Sequence, residues 1–224
     1  MQERESVLAA TRSDQRIPKL RTRGRANRER LLAQAERMID ETAGEPIRFS
    51  DVFAAAGVSR GSAYRIYNGI DDLMQDLASV WINKFVAHLN TACAGLSVTS
   101  WQQLSDCLLE SSASYWRGTE EVLRVLPRVR SNVPQSYKQA AKDVAGTVAG
   151  IFERYFVIPD VSDWLAVVGM YVQLGDIVFS DAVRREGRIS AQRLREAQKL
   201  CSAYLAFHLP ASLPAKPNTE NDRK

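Results

Sequence analysis

The chain has 224 residues, 45% of them hydrophobic and 25% charged, with a net charge of +4. That composition excludes a disordered chain or a collagen-like one, and leaves ample length for a buried core. The basic surplus is not spread evenly: residues 1–30 hold nine basic residues against four acidic, a net of +5, so the remainder is near neutral. A basic end on a neutral body points to a polyanion partner at that end, or to a merely solvated tail. Cys93, Cys107 and Cys201 are odd in number and lack metal-ligand spacing, which suits reduced thiols. No stretch is expected to span a membrane and no leader pattern is seen, so a cytoplasmic protein is expected.

Residues 1–25 read as a basic, flexible arm, with Pro18 and Gly24 interrupting any helix. Its Lys19 to Arg25 run is suited to phosphates or a minor groove, or to no fixed contact at all. A first helix is expected from Arg28 to Thr42, with Asn27 as cap and Leu31, Leu32, Ala35, Met38 and Ile39 on its inner face. Gly44 and Pro46 end it. A second helix places Phe49, Val52, Phe53 and Ala56 on one side. Gly57 then turns the chain, Val58 points inward, and Ser59 caps a third helix. That third helix sets Ala63 and Tyr67 behind a polar face of Arg60, Gly61, Ser62, Tyr64 and Arg65. An apolar back and a donor-rich front is what a helix needs to enter a DNA major groove.

A fourth helix opens near Asp71 and carries Leu73, Met74, Leu77, Trp81 and Phe85, long enough to bridge into the rest of the chain. Ser100 and Gln103 form a capping box for a fifth helix reaching Arg117. Glu120 to Arg130 reads as a short helix broken by Pro127. Further helices are expected from Pro134 to Val157, from a Ser162 cap to Arg185, and from Ser190 to His208. Residues 211–224 read as a disordered tail. No β alternation and no repeat is seen. The expected layout is a DNA-binding unit over 26–75 and a helical unit over 76–210.

The run AGVSRGSAYR, with RERLLAQAERMI before it and DDLMQDL after it, resembles the N-terminal DNA-binding domain of TetR/AcrR-family transcriptional regulators over residues 26–80. The resemblance implies an all-α fold: a three-helix helix-turn-helix domain plus a C-terminal helical domain for ligand binding and dimerisation. It implies double-stranded DNA as partner, a homodimer through the last two helices, and a small-molecule inducer. A two-fold dimer reads half-sites about 34–36 Å apart, hence a near-palindromic operator. The candidate DNA contacts are Arg48, Ser50, Arg60, Gly61, Ser62, Tyr64, Arg65 and Tyr67. Tyr67 holds the family's aromatic core position, with a hydroxyl in reach of a phosphate. Three positions depart from the family pattern: Ile70 replaces a phosphate-holding lysine, Gly69 a capping serine, and Arg48 a capping threonine or serine.

The small residues Ala166, Gly169, Val172 and Gly175 would let helices of two copies approach closely, or complete a core within one chain. For an inducer the candidates are Phe85, His88, Cys107, Ser111, Tyr115, Trp116, Phe152, Tyr171 and Asp176, an aromatic wall with a few polar groups. The same set also describes a plain helical core. No cofactor or metal is expected, and no enzyme motif is present: His88 and His208 lack ligand company, and no phosphate loop, nucleophile elbow or Cys–His pattern occurs. A ligand-independent, DNA-bound adaptor that recruits a protein partner is the alternative; a filled C-terminal core would favour it.

Overall fold

The apolar stripes fold as helices throughout. A computed structural model of the chain describes residues 2–130 and 135–216, with side chains over 22–125 and 142–216. Among the described residues there are nine helices: α1 Gln2–Glu41, α2 Phe49–Ala55, α3 Arg60–Tyr64, α4 Ile70–Ala92, α5 Trp101–Trp116, α6 Glu120–Arg130, α7 Gln135–Tyr155, α8 Trp164–Glu186 and α9 Ala191–Leu205. The one β feature described is an antiparallel bridge between Phe156 and Ala215. The chain divides into two compact units, Met1–Leu77 and Ala78–Lys224, and the division falls inside α4.

In the first unit, Leu31, Leu32, Ala35 and Ile39 of α1 are buried with Phe49 and Val52 of α2, Val58, Ala63 of α3, and Leu73 and Leu77 of α4. Each large aliphatic side chain removed from water contributes about 1.5–3 kcal/mol, which holds three short helices that would be marginal alone. α1 ends where Gly44, at φ 82°, lets its amide donate to the Ile39 carbonyl at 2.8 Å. Its start corrects the expectation of a flexible arm with a helix capped by Asn27. α1 is continuous through Pro18 and Gly24 from Gln2, because the Ala, Leu, Arg, Gln and Glu around them favour helix strongly enough to carry both. The side chains of Lys19, Leu20 and Arg21 in the basic run lie outside the described residues.

Two arginines of the basic surplus are spent inside this unit. Arg28 is bound to Asp76. Arg30 donates through Nη2 to the Ala56 carbonyl, and at 3.2 Å to that of Gly57, so α1 caps the C-terminus of α2. Gly57 has φ 61°, and a Cβ there would lie 2.8 Å from Arg30 Nη2.

In the second unit, Trp101, Leu104 and Leu108 of α5 share a core with Phe152 of α7, Val168, Tyr171 and Phe179 of α8, and Ala197, Cys201 and Leu205 of α9. Half of the expected capping box of α5 forms: Ser100 Oγ accepts from the Gln103 amide, but Gln103 Oε1 accepts from the amide of Thr99, one residue before the cap, rather than from that of Ser100. α8 is capped by Asp163 rather than Ser162. Asp163 sits at φ 54°, a conformation its short polar side chain tolerates, and accepts from the Ala166 amide. α6 runs through Pro127 to Arg130 instead of breaking there.

Residues 210–216 are tied down, which corrects the expected disordered tail over its first part. Trp101 Nε1 donates to the Pro210 carbonyl at 2.9 Å, Val157 N to that of Pro214, and Lys216 N to that of Tyr155. Residues 217–224 lie outside the described residues. α8 is, against expectation, long and apolar enough to cross a membrane. Of its apolar stretch 39% is buried within this unit, Val167, Val168, Tyr171, Phe179 and Ala182 among the buried residues. Gly175 lies against Leu109 and Cys201, and Gly169 near Ala145, so these two small residues serve packing within the chain.

Replacing Gly57 with alanine should destabilise the first unit by about 1–2 kcal/mol, the cost of a left-handed Cβ, plus whatever displacing Arg30 adds. A denaturant titration reads it; an unchanged midpoint would show that the turn does not need glycine.

Candidate nucleic-acid interface

α3 has five residues, too few to hold its own shape, so its neighbours fix it. Ser59 Oγ accepts from the Ser62 amide at 3.4 Å and donates to the Ser62 hydroxyl at 3.0 Å. Ala63 is fully buried and Tyr67 is 6% exposed. On the other side Arg60, Gly61, Tyr64 and Arg65 are exposed and Ser62 is half-buried. Arg48 and Ser50, at the start of α2, are exposed as well. Among the described residues none of Arg48, Arg60 and Arg65 is in an ion pair. Ser50 donates to the Asp51 carboxylate at 3.1 Å.

Tyr64 stands edge-on to Phe49 at 5.2 Å and to Phe53 at 6.2 Å, centroid to centroid. The Arg60 guanidinium lies over the Tyr64 ring, 5.6 Å from its centre. A Cβ at Gly61 would meet nothing within 4 Å, so no contact at that atom demands glycine there.

Tyr67 corrects the sequence reading. Its hydroxyl does not face outward; it donates to Asp76 Oδ2 at 2.6 Å. Arg28 donates to the same carboxylate through Nε at 2.7 Å and Nη2 at 2.5 Å. One aspartate of α4 thus joins α1 to the residue just past α3. The bonds to Asp76 raise the pKa of the Arg28 guanidinium further. Burial, then donation to Asp76, pushes the Tyr67 phenol well above its ordinary value. The entry to α4 is capped from within: Asp72 Oδ2 accepts from the Asn68 amide at 3.0 Å and from its side chain at 2.5 Å.

The second unit holds a cavity of about 860 Å³ among α4, α5, α7 and α8. Of the nine candidates for an inducer, Phe85, Trp116, Tyr171 and Asp176 line it. His88, Cys107, Ser111, Tyr115 and Phe152 do not. His88 Nε2 bonds the Ser111 hydroxyl at 3.1 Å and its carbonyl at 3.2 Å, tying α4 to α5. Tyr115 stacks among Phe85, His88 and Trp116, and Phe152 is fully buried between Trp164 and Tyr171. The wall of α5 is Leu108, Leu109, Ser112 and Trp116, next round the helix from the stripe Cys107, Ser111 and Tyr115. Both stripes share the same i, i+4, i+8 period and each carries a serine and an aromatic, so spacing does not separate them. The Tyr171 hydroxyl is satisfied by Ser105 Oγ at 3.1 Å. Among the described residues no three His, Cys, Asp or Glu side chains are grouped to hold a metal ion.

No protein-family model matches the chain, and no curated protein does. Solved structures do. A TetR-family transcriptional regulator from Streptomyces coelicolor superposes with a TM-score of 0.63 at 18% identity, over 82% of this chain and 99% of that one. One from a Rhodococcus species gives 0.61 at 17%, over 81% and 96%. A putative one from Syntrophomonas wolfei gives 0.62 at 11%, over 83% and 97%. The chain has the TetR-family fold. Within that fold its departures have local answers. Gly69 supplies no capping side chain, and Asp72 reaches back to Asn68 in its place. Arg48 occupies the N-cap of α2 without a side-chain cap bond, which leaves its guanidinium exposed.

The raised Tyr67 pKa makes a signed prediction. A phenol kept protonated in the folded chain adds stability that is complete below its ordinary pKa of about 10 and is lost as pH rises past it. Tyr67→Phe should flatten that alkaline loss in denaturant midpoints taken from pH 8 to 11. It should not abolish it, because burial also raises Tyr171, Cys93 to about 11 and Cys201 to about 12.

Proposed function

We propose that the chain is a DNA-binding transcriptional regulator, a homodimeric repressor that reads a near-palindromic operator and is released by a small molecule. The observation that carries the reading is the two-sidedness of α3: Ala63 and Tyr67 are buried while Arg60, Gly61, Tyr64 and Arg65 are exposed. Arginine at the start of a recognition helix suits a guanine edge, a contact that discriminates by about 1–3 kcal/mol. Gly61, which no contact within the chain requires, suits close approach of backbone to DNA. Arg65, Arg48 and Ser50 are exposed donors suited to phosphates, and Ser62 adds a half-buried hydroxyl. The solved structures of the same fold are described as transcriptional regulators, which supports the same reading.

Dimerisation is supported by apolar residues that one chain leaves uncovered. α9 exposes Leu200, followed by Phe207 at 87%, while the exposed Leu165, Met170 and Ile177 of α8 line the cavity. Leu200 and Phe207, rather than Gly169 and Gly175, are the surface a second copy would cover. The cavity supports ligand release over the ligand-independent adaptor, since its space and mainly apolar walls suit a lipophilic small molecule. α4 contributes Phe85 to the wall and Asp76 to the link with Tyr67, so a ligand that favours another course of α4 would disturb α3. It can do so only by its differential affinity for the two states.

Sites selected by the protein from random DNA should be near-palindromic, and small molecules that occupy the cavity should release them; failure to enrich any site overturns the proposal. Arg60→Ala should lose roughly 10- to 100-fold of the preference at one base pair per half-site, in competition binding with the dimer intact. Gly61→Leu should leave the melting temperature unchanged or higher while weakening operator binding at least tenfold, on the order of one lost contact. Leu200→Arg should shift the chain toward monomer in sedimentation; a persistent dimer would move the interface elsewhere.

A further inference from the structure

We infer that Tyr64 is a positioning residue for sequence discrimination: its ring holds the Arg60 guanidinium in the pose that meets a base edge. The inference rests on the proposed DNA-reading role of α3. Arg60 and Tyr64 are four residues apart, one above the other on the same face of the helix. The guanidinium lies 5.6 Å from the ring centre, within reach of the ring's negative face. The ring is itself held. Phe49, which is buried, meets it edge-on at 5.2 Å, and Phe53 meets it at 6.2 Å. Yet Tyr64 remains 47% exposed, so it is not there merely to fill the core.

Arg60 has no other partner among the described residues. An exposed arginine samples many rotamers and must give them up to make a bidentate contact; a guanidinium already laid on a fixed ring gives up fewer. Among the described residues no hydrogen bond or ion pair engages the Arg60 N–H donors, so they are free for a base. The aromatic cluster of α2 therefore reaches the DNA indirectly: Phe49 and Phe53 fix Tyr64, and Tyr64 fixes Arg60. A tyrosine hydroxyl bonded to a phosphate would instead add affinity for every sequence alike.

The test uses the full chain and the duplex it selects from random DNA, with copies changed at one base pair at a time. Arg60→Ala first identifies the pair that loses discrimination. Tyr64→Leu should then lose roughly 2- to 5-fold of discrimination at that same pair and none elsewhere. Tyr64→Phe and Tyr64→Trp, which keep a ring, should retain it, whatever their overall affinity. The ratio of matched to mismatched binding does not depend on the fraction of protein that is folded, so a destabilised Tyr64→Leu still reports. If Tyr64→Leu keeps full discrimination, or Tyr64→Phe loses as much as Tyr64→Leu, the positioning role is overturned while the DNA-reading role stands. If Arg60→Ala itself changes discrimination at no pair, the assignment of Arg60 falls, and this inference with it.

Discussion

Asp76 takes three donors on one carboxylate, two from Arg28 and one from Tyr67, and most of the first unit's geometry passes through it. The two-pronged arginine contact fixes direction as well as distance, because both N–H groups must meet both oxygens. The third bond brings in the residue that follows α3. A carboxylate partly withdrawn from water is costly when unpaired, and here the remaining capacity is filled by groups that are themselves anchored: Arg28 on α1 and the ring of Tyr67 in the core. A five-residue helix has no persistence of its own. Its outward face is defined only because Ala63 and Tyr67 are held inward, and the Asp76 bond is the one directional contact that holds Tyr67 in rotation.

Charge has a different meaning at each arginine of this unit. Counted along the sequence, Arg28, Arg30, Arg48, Arg60 and Arg65 are equivalent contributions to a basic end. Folded, Arg28 neutralises Asp76 and Arg30 closes the carbonyl end of α2, so both have partners within the chain. Arg48, Arg60 and Arg65 remain exposed. Among the described arginines, these three stand exposed near the start of α2 and the two ends of α3. Gly57 shows the same economy. Its left-handed turn and the approach of Arg30 both exclude a side chain, so one residue satisfies two constraints.

How much could be read from the chain follows from how local each feature is. The turn at Gly57, the Ser59 cap and the buried stripes of α1 to α3 depend on neighbours a few residues away, and the spacing of Leu31, Leu32, Ala35, Phe49, Val52 and Ala63 carried them. The bonds of Asp76 and Arg30 were not legible, since their partners are 9, 48 and 26 residues distant and any exposed acid or arginine looks the same in one dimension. The tail failed for a similar reason. Residues 210–216 hold two prolines and no helical stripe, which reads as the start of a disordered tail, yet their carbonyls answer the Trp101 indole and the Val157 amide, groups more than fifty residues away. At the cavity the helices were correct and the rotation was not: Tyr115 and Trp116 are adjacent aromatics, and only packing decides which faces the hollow.

α4 ties these parts into one argument about regulation. Asp76 and Phe85 lie nine residues apart on a single unbroken helix, one fixing Tyr67 and the other lining the cavity. Two of the cavity's polar groups are already satisfied: Tyr171 bonds Ser105, and Ser112 bonds the Leu108 carbonyl, while Gln173 and Asp176 also line it. Under the proposed release by a ligand, tenfold loss of operator affinity needs about 1.4 kcal/mol of differential affinity between two states of the chain, roughly the burial of two extra methylene groups in one state over the other.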